Sequence, residues 1–296
     1  MGASERSFGP VRFLPGKNRA RYPHCHSLYI EGAGVLIDPA CDRQRLKRLR
    51  DEEGVSQVWL SHWHEDHLRH LDLFDDLPLY MSEADAPPLS DLEAYLDWNC
   101  GDNQALRDKW RDLAVRVFNF RPRRPTGFLC HGQVVELGPL SVEVIATPGH
   151  TPGSLCFFFR QPRVLFLADY DLTSFGPWYG DIQADIDELK ASVARLHAVP
   201  ARTWLAGHGE GVYEEDPGER WDNFVGVIDN RERRLLEFLE QPRTLDEIVG
   251  AWIAYGHPRQ PEDFYRAAEE GLMRKHLKAL ETRGMVAWRG RRVRRV

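Results

Sequence analysis

The chain has 296 residues, 42% of them hydrophobic and 28% charged, which suits a folded globular protein of one large domain or of a large and a small one. The net charge of −6 is uneven, because residues 1–220 carry 33 acidic and 24 basic side chains whereas residues 221–296 carry 12 and 15. This acidic balance of the larger part favours a bound cation over a phosphate backbone as its partner.

Cysteine usage and the N-terminus predict the compartment. The five cysteines are scattered and form no Cys-x-x-Cys pair, as is usual in a reducing cytoplasm. The first ten residues, MGASERSFGP, contain no apolar core of a secretory signal, and no apolar run has the length of a membrane span. We therefore expect a cytoplasmic protein with no membrane partner.

Apolar runs separated by turns predict an α/β fold. An amphipathic helix is predicted at residues 185–199, where Ile186, Leu189, Val193 and Leu196 share one face. Between residues 83 and 128 the pattern breaks into two short helices near 89–98 and 103–116, which indicates an insertion. The predicted strands lie, in chain order, at residues 26–40 (two strands), 55–61, 78–82, 134–147 (a hairpin), 154–160, 164–169 and 203–209.

Residues 221–296 predict a separate small domain after a catalytic domain at 1–216. A first helix follows Trp221, the sequence TLDE at 244–247 is a capping box that opens a second, and a third is predicted at about 261–283. The last twelve residues predict a hairpin that turns at Gly290. Three helices followed by a hairpin are typical of a winged-helix-like domain.

Four of the apolar strands end in potential metal ligands. Side chains beyond the carboxyl ends of neighbouring strands converge on one crevice. Imidazole and carboxylate donors suit zinc, manganese or iron better than calcium or magnesium. Seven donors are too many for one tetrahedral ion and about right for two ions that share a carboxylate and a water. The seven are His62, His64, Asp66 and His67 in the stretch LSHWHEDHLRH, His150 in TPGHTPGS, the strand-end Asp169, and His208 in AGHG.

These motifs, in this order, resemble the metallo-β-lactamase superfamily of hydrolases over roughly residues 10–215. The resemblance implies a four-layered αββα sandwich with the site at one edge. It also implies two divalent transition metals, with zinc as the first expectation and manganese or iron as alternatives. The implied ligands are His62, His64 and His150 for one metal and Asp66, His67 and His208 for the other, with Asp169 bridging both.

A metal pair implies hydrolysis, because it lowers the pKa of a bridging water to about 7 and so gives a hydroxide at neutral pH. We expect attack of this metal-bridging hydroxide on an ester or thioester of a small molecule, as in glyoxalase II-like members, with Asp66 orienting it as the catalytic residue. Three alternatives stay open: an endoribonuclease that uses the same metals, a mononuclear-iron persulfide dioxygenase, and a binding protein without activity.

The substrate pocket is predicted from two stretches. The loop after Asp169 carries Phe175, Trp178 and Tyr179, which we expect to line the cleft, and His26 begins the strand that in the family often abuts the metals. Asp171 is a candidate to orient a metal-binding imidazole. The partner is expected to be a small-molecule substrate. Nucleic acid is not favoured, although Arg289 to Arg295 form a basic tail, and a homodimer is left open.

Overall fold

The structure, a computed structural model, describes residues 4–138 and 140–296. The first three residues of the predicted catalytic domain and Pro139, in the turn of the predicted 134–147 hairpin, lie outside the described residues. Two β-sheets pack face to face and helices cover the outer face of each. Among the described residues, no helix combines the length and apolarity that crossing a membrane requires.

The first sheet has seven strands that are adjacent in chain order. Its first four strands are antiparallel, and the remaining strands continue the sheet in parallel from the fourth. The predicted strands at 26–40, 55–61 and 78–82 belong to it. The strands are β1 (Arg6–Phe8), β2 (Val11–Leu14), β3 (Ser27–Ile30), β4 (Val35–Ile37), β5 (Gln57–Trp59), β6 (Leu79–Met81) and β7 (Gly127–Phe128).

The second sheet has six strands in the spatial order β13-β12-β11-β10-β9-β8. All its pairs are antiparallel except β11 with β12, which run parallel. The carboxyl ends of β9, β11 and β12 therefore lie at the same edge. The strands are β8 (Val134–Leu137), β9 (Leu140–Ala146), β10 (Leu155–Phe159), β11 (Val164–Phe166), β12 (Thr203–Leu205) and β13 (Val212–Tyr213).

Strand β10 shows why the central strands are apolar throughout. Leu155, Phe157 and Phe159 join the cluster between the two sheets, whereas Cys156 and Phe158 join the cluster beneath the outer helices. A strand that is covered on both faces cannot alternate apolar with polar residues. The layers are therefore helices, first sheet, second sheet and helices, and the predicted αββα sandwich is confirmed.

Helices form the two outer layers. Helices α1 to α4 cover the first sheet, and the predicted insertion at 83–128 supplies three of them. Helix α5 covers the second sheet. The helices are α1 (Arg43–Arg48), α2 (Ala86–Ser90), α3 (Leu92–Cys100), α4 (Gln104–Arg116), α5 (Ile186–His197), α6 (Glu219–Phe238), α7 (Leu245–Gly250) and α8 (Glu262–Thr282).

The C-terminal region consists of α6 to α8 and a three-stranded sheet, β14 (Arg243–Thr244), β15 (Val286–Arg289) and β16 (Arg292–Arg295), in the order β14-β16-β15. Its apolar residues share one cluster with α5 and with the loop after β11; Phe224 and Leu272 belong to this cluster, as do Leu189 and Tyr170. The region is therefore packed onto the outer face of the second sheet.

The basic tail is part of this small sheet. Strand β16 lies at its centre, and Val293 has no exposed surface. The neighbouring Arg292 donates to the Pro242 carbonyl at 2.9 Å and pairs with Glu247 at 3.2 Å. The arginines at 291, 294 and 295 are exposed. The tail cannot be removed without removing the central strand.

Candidate metal centre

Strand ends bring the seven candidate residues to one edge of the sandwich. Strand β5 ends three residues before His62, and β9, β11 and β12 each end three or four residues before His150, Asp169 and His208. The chain turns sharply before His150, since Gly149 has φ +118° and a side chain there would collide with the Leu189 backbone. Glycine thus allows the loop to lie directly on α5.

Three histidines form what we call the first cluster: His62, His64 and His150. His62 Nε2 lies 3.0 Å from His64 Nδ1, and His150 Nε2 lies 3.2 Å from the first nitrogen and 3.0 Å from the second. All three side chains are buried. The other ring nitrogen of each histidine has its own partner. His62 Nδ1 lies 2.9 Å from the Ser61 hydroxyl, and His64 Nε2 lies 2.8 Å from Asp181 Oδ2. His150 Nδ1 lies 2.9 Å from the Trp178 carbonyl oxygen.

The second cluster contains His67, His208 and Asp66. His67 Nε2 and His208 Nε2 are 3.3 Å apart, and Asp66 Oδ2 lies 3.5 Å from His208 Nε2. His67 Nδ1 is 2.9 Å from Asp38 Oδ2. His208 Nδ1 donates to the Ala20 carbonyl at 2.6 Å.

Asp169 lies between the clusters. Its Oδ2 is 3.2 Å from His150 Nε2 and 3.9 Å from His62 Nε2. Its Oδ1 is 2.7 Å from His67 Nε2 and 3.3 Å from His208 Nε2. The carboxylate thus has one oxygen on each side.

The hydrogen bonds fix the direction of the imidazole lone pairs. A main-chain carbonyl only accepts, so the Nδ1 atoms of His150 and His208 carry protons and their Nε2 atoms present lone pairs. The partners of His62 and His67 favour the same arrangement, whereas His64 has the opposite one: its Nε2 faces Asp181 and its Nδ1 presents the lone pair to the cluster. Lone pairs that face one another at about 3 Å repel unless a cation lies between them. The donor set therefore fits transition metals, and imidazole and carboxylate donors suit zinc, manganese or iron.

The charges of the site also suit a bound cation. Burial lowers the pKa of His64, but Asp181 outweighs burial and raises it to about 9. Burial likewise opposes the charge on His208, but Asp169 raises its pKa to about 10. Burial disfavours the charge of Asp169, but the His67 and His208 imidazoles hold its pKa well below the usual range. An imidazole with a raised pKa must give up its second proton before it binds a metal, so metal binding should release protons.

Two carboxylates that orient histidines were not predicted. One is Asp38, which directly follows β4 and has no exposed surface. It accepts hydrogen bonds from the Ser61 amide at 2.8 Å and from the Ser61 hydroxyl at 2.7 Å, and it also faces His67. The strand-end rule that selected His62 also selects Asp38 and would have found it. Asp181 carries no such signal, because a long loop brings it to His64.

The structure corrects the prediction for Asp171. Its Oδ1 accepts from the Thr173 amide at 3.0 Å, so it caps a turn, and it has no hydrogen bond to an imidazole among the described residues. The predicted role belongs to Asp38 and Asp181 and to the main-chain carbonyls of Trp178 and Ala20.

The expected pocket residues lie in different places. Tyr179 is fully buried, with its hydroxyl 2.9 Å from His276 Nε2, and Phe175 packs on Tyr255 of the C-terminal region. His26 is fully buried, and its Nδ1 accepts from the Gly16 amide at 2.9 Å. Tyr179 is buried against the C-terminal region and His26 is buried in the core. In this structure neither side chain therefore lines an open cleft. Trp178 is partly exposed and lies at the site.

The chain belongs to the metallo-beta-lactamase superfamily, whose family model matches residues 21–211. In structure it is similar to a metallo-beta-lactamase family protein from Thermus thermophilus, with a TM-score of 0.74, 22% identity and coverage of 97% of this chain and 99% of that one. A beta-lactamase domain protein from Burkholderia ambifaria gives a TM-score of 0.73 at 17% identity, covering 99% and 93%. These two likenesses concern the fold.

Two sequence relatives carry other names. An uncharacterized protein from Aquifex aeolicus is 28% identical over 185 residues, 60% of this chain and 79% of its own length. A protein from Gallus gallus named acyl-coenzyme A thioesterase MBLAC2 is 31% identical over 143 residues. That match covers 48% of this chain, which thus spans about half (47%) of the thioesterase's length.

Proposed function

We propose that this protein is a hydrolase that uses two divalent transition metals and acts on an ester or thioester of a small molecule. The observation that carries the proposal is the position of Asp169, which offers one oxygen to each of two histidine clusters. In this proposal the first cluster would hold one metal, the second cluster would hold the other, and Asp169 would offer one oxygen to each. Zinc is the metal we expect first, with manganese or iron as alternatives.

The bound metals would supply Lewis acidity that activates water for attack at neutral pH. Asp66 would hold and orient that water, because its Oδ2 lies 3.5 Å from His208 Nε2 and points into the second cluster. Asp38 and Asp181 would keep the imidazoles of His67 and His64 in the tautomer that binds a metal. The first cluster is buried and His208 of the second is 14% exposed, which would limit the access of bulk water to the reacting groups.

A thioester is favoured over other acyl substrates because a relative over about half of the chain is named an acyl-coenzyme A thioesterase. We also propose that the protein belongs to the glyoxalase II-like branch and that residues 1–216 form its catalytic domain. We further propose that residues 221–296 form a winged-helix-like domain that shapes the cleft. Duplex binding is not favoured, because α8 carries five acidic and four basic side chains and so lacks the net positive charge that such binding requires.

Two measurements test the function together. Elemental analysis of the protein as purified should find two transition metals per chain, and His208→Ala should weaken mainly one of them. A panel of acyl thioesters, lactones and RNA should show turnover of a thioester or ester that chelators abolish. If the protein held a single iron per chain and consumed oxygen with a persulfide, it would be a persulfide dioxygenase instead. If it cleaved RNA in a metal-dependent reaction, it would be an endoribonuclease.

A further inference from the structure

One segment, residues 175–184, connects the first cluster to the C-terminal region. On its inner side the Trp178 carbonyl accepts from His150 Nδ1 at 2.9 Å and Asp181 Oδ2 lies 2.8 Å from His64 Nε2. The indole of Trp178 also donates to Asp181 Oδ2, at 3.0 Å. This segment therefore sets the direction of two of the three imidazoles in the first cluster.

On its outer side the segment is held by a buried guanidinium from α6. Arg231 donates to the Phe175 carbonyl at 2.7 Å, to the Pro177 carbonyl at 3.5 Å and to the Tyr179 hydroxyl at 3.1 Å. Arg231 is only 2% exposed, and among the described residues its hydrogen-bond acceptors all lie in this segment. A buried charge whose acceptors all belong to one segment is costly unless that segment stays in place, so this contact marks a fixed geometry.

Helix α8 holds the far end of the same segment. Lys275 Nζ donates to the carbonyls of Ile182 and Ala184, both at 2.7 Å. In the middle of the segment, at Gly180, the backbone of α8 lies directly against it. A side chain at Gly271 of α8 would come within 2.4 Å of the Gly180 carbonyl oxygen. The segment is thus fixed at its start by α6 and at its middle and end by α8.

We propose that Arg231 and Lys275 are positioning residues for the first cluster and act on it through the 175–184 segment. The proposal rests on the two-metal site proposed above. It makes affinity for one metal depend on the C-terminal region and affinity for the other independent of it. The reason is that His67 and His208 are oriented by Asp38 and by the Ala20 carbonyl, which lie outside the segment.

The test is a Zn²⁺ titration of the metal-free full-length chain against a chromophoric chelator, which resolves two binding steps. His150→Ala and His208→Ala assign each step to a cluster. Lys275→Met keeps most of the aliphatic stem and loses both hydrogen bonds. We expect it to weaken the step that His150→Ala removes by roughly tenfold, the low end of the effect of losing an outer partner of a ligand, because Lys275 holds the segment that carries those partners. The other step should change by less than about twofold.

A matched control is Lys190→Met. Lys190 joins α5 to Asp229 of α6 at 2.6 Å, so it too connects the C-terminal region to the rest of the chain, but among the described residues it donates no hydrogen bond to the segment. It should leave both steps unchanged. Arg231→Lys keeps the charge and loses the forked geometry, and it should act in the same direction as Lys275→Met. The visible absorption of the Co²⁺ derivative provides a second readout, which should change for the first cluster alone.

Equal weakening of both steps by Lys275→Met, or weakening by Lys190→Met as well, would overturn the positioning role, because either result reports general destabilisation. No change with Lys275→Met and Arg231→Lys, in chains whose urea unfolding shows a native fold, would overturn it too. A wild-type chain that binds one metal would overturn the two-metal proposal instead. The positioning role would then be supported if that metal is lost with His150→Ala and weakened by Lys275→Met but not by Lys190→Met.

Discussion

The candidate centre is supported in two different ways. His62 and His67 are held by the core, through Ser61 and through Asp38, which directly follows a central strand and has no exposed surface. His64 and His150 are held by a loop, through Asp181 and the Trp178 carbonyl, and that loop rests on helices from another region. Of these four imidazoles, two are therefore supported by the sheet and two by a loop that packs on the C-terminal region.

This difference indicates which changes cost stability and which cost metal binding. A partner within the sheet cannot be lost without leaving buried donors unsatisfied, whereas a partner on a loop can be lost while the sheet stays folded. The predictions below use this contrast, and each compares one side of the site with the other.

The largest expected effect is on catalysis at the second cluster. Asp66→Ala should lower kcat/KM for a thioester by more than about 100-fold, because losing a ligand that orients water should exceed the usual effect of losing an outer partner. The fold should persist, since Asp66 lies in a loop after β5, and circular dichroism checks this. Asp171→Asn is the control: it changes a nearby acid that caps a turn, and activity should stay near wild type. Full metal loading with most of the kcat retained would exclude the proposed role of Asp66.

The next effect is on stability from the core side. Asp38→Ala leaves three donors without an acceptor, the Ser61 amide, the Ser61 hydroxyl and His67 Nδ1. Because an unsatisfied buried donor costs about 1–3 kcal/mol, the free energy of unfolding of the metal-free protein should fall by roughly 3 kcal/mol or more. Urea denaturation measures it. Asp38→Asn, which tolerates the positive φ of 52° at this position, should lose less. Equal losses for both variants would contradict this account.

A smaller effect is expected on the loop side. Asp181→Ala should lower metal affinity at the first cluster by about 10–100-fold while reducing the free energy of unfolding by only about 1 kcal/mol. Asp181 is 13% exposed, so water can replace it as a partner of His64. The same zinc titration and urea denaturation give both numbers. A stability loss as large as that of Asp38→Ala would remove the distinction between the two sides.

The smallest effect separates the stability of the C-terminal region from its contacts. Thr244 and Glu247 form the capping box that opens α7, far along the chain from the 175–184 segment. Thr244→Ala should lower the free energy of unfolding by about 1 kcal/mol, with no change in either metal-binding step. If zinc affinity at the first cluster fell in proportion to this stability loss, the C-terminal region would act by its stability and not through Arg231 and Lys275.

Local patterns were enough to predict much of the fold. The apolar strands, the amphipathic helix α5 and the capping box at Thr244 each follow from side-chain period or from a contact three residues away. The gathering of His62, His150, Asp169 and His208 could also be anticipated, since each follows a strand and parallel strand ends share an edge. The C-terminal hairpin was predicted, but the central position of β16 was not, because its pairing with β14 joins residues far apart in sequence.

The sequence by itself thus determined the order of elements and the edge at which the histidines gather, because these depend on alternation and on strand direction. The αββα layers were expected from the resemblance to the superfamily. Only the tertiary structure decided which groups orient the imidazoles and where the aromatic loop residues lie. Tyr179, which the sequence places near Asp169, is buried against His276 of α8. Asp181 reaches His64, which is 117 positions away. No local period encodes such contacts, because they arise when a loop is packed between a sheet edge and a separate region.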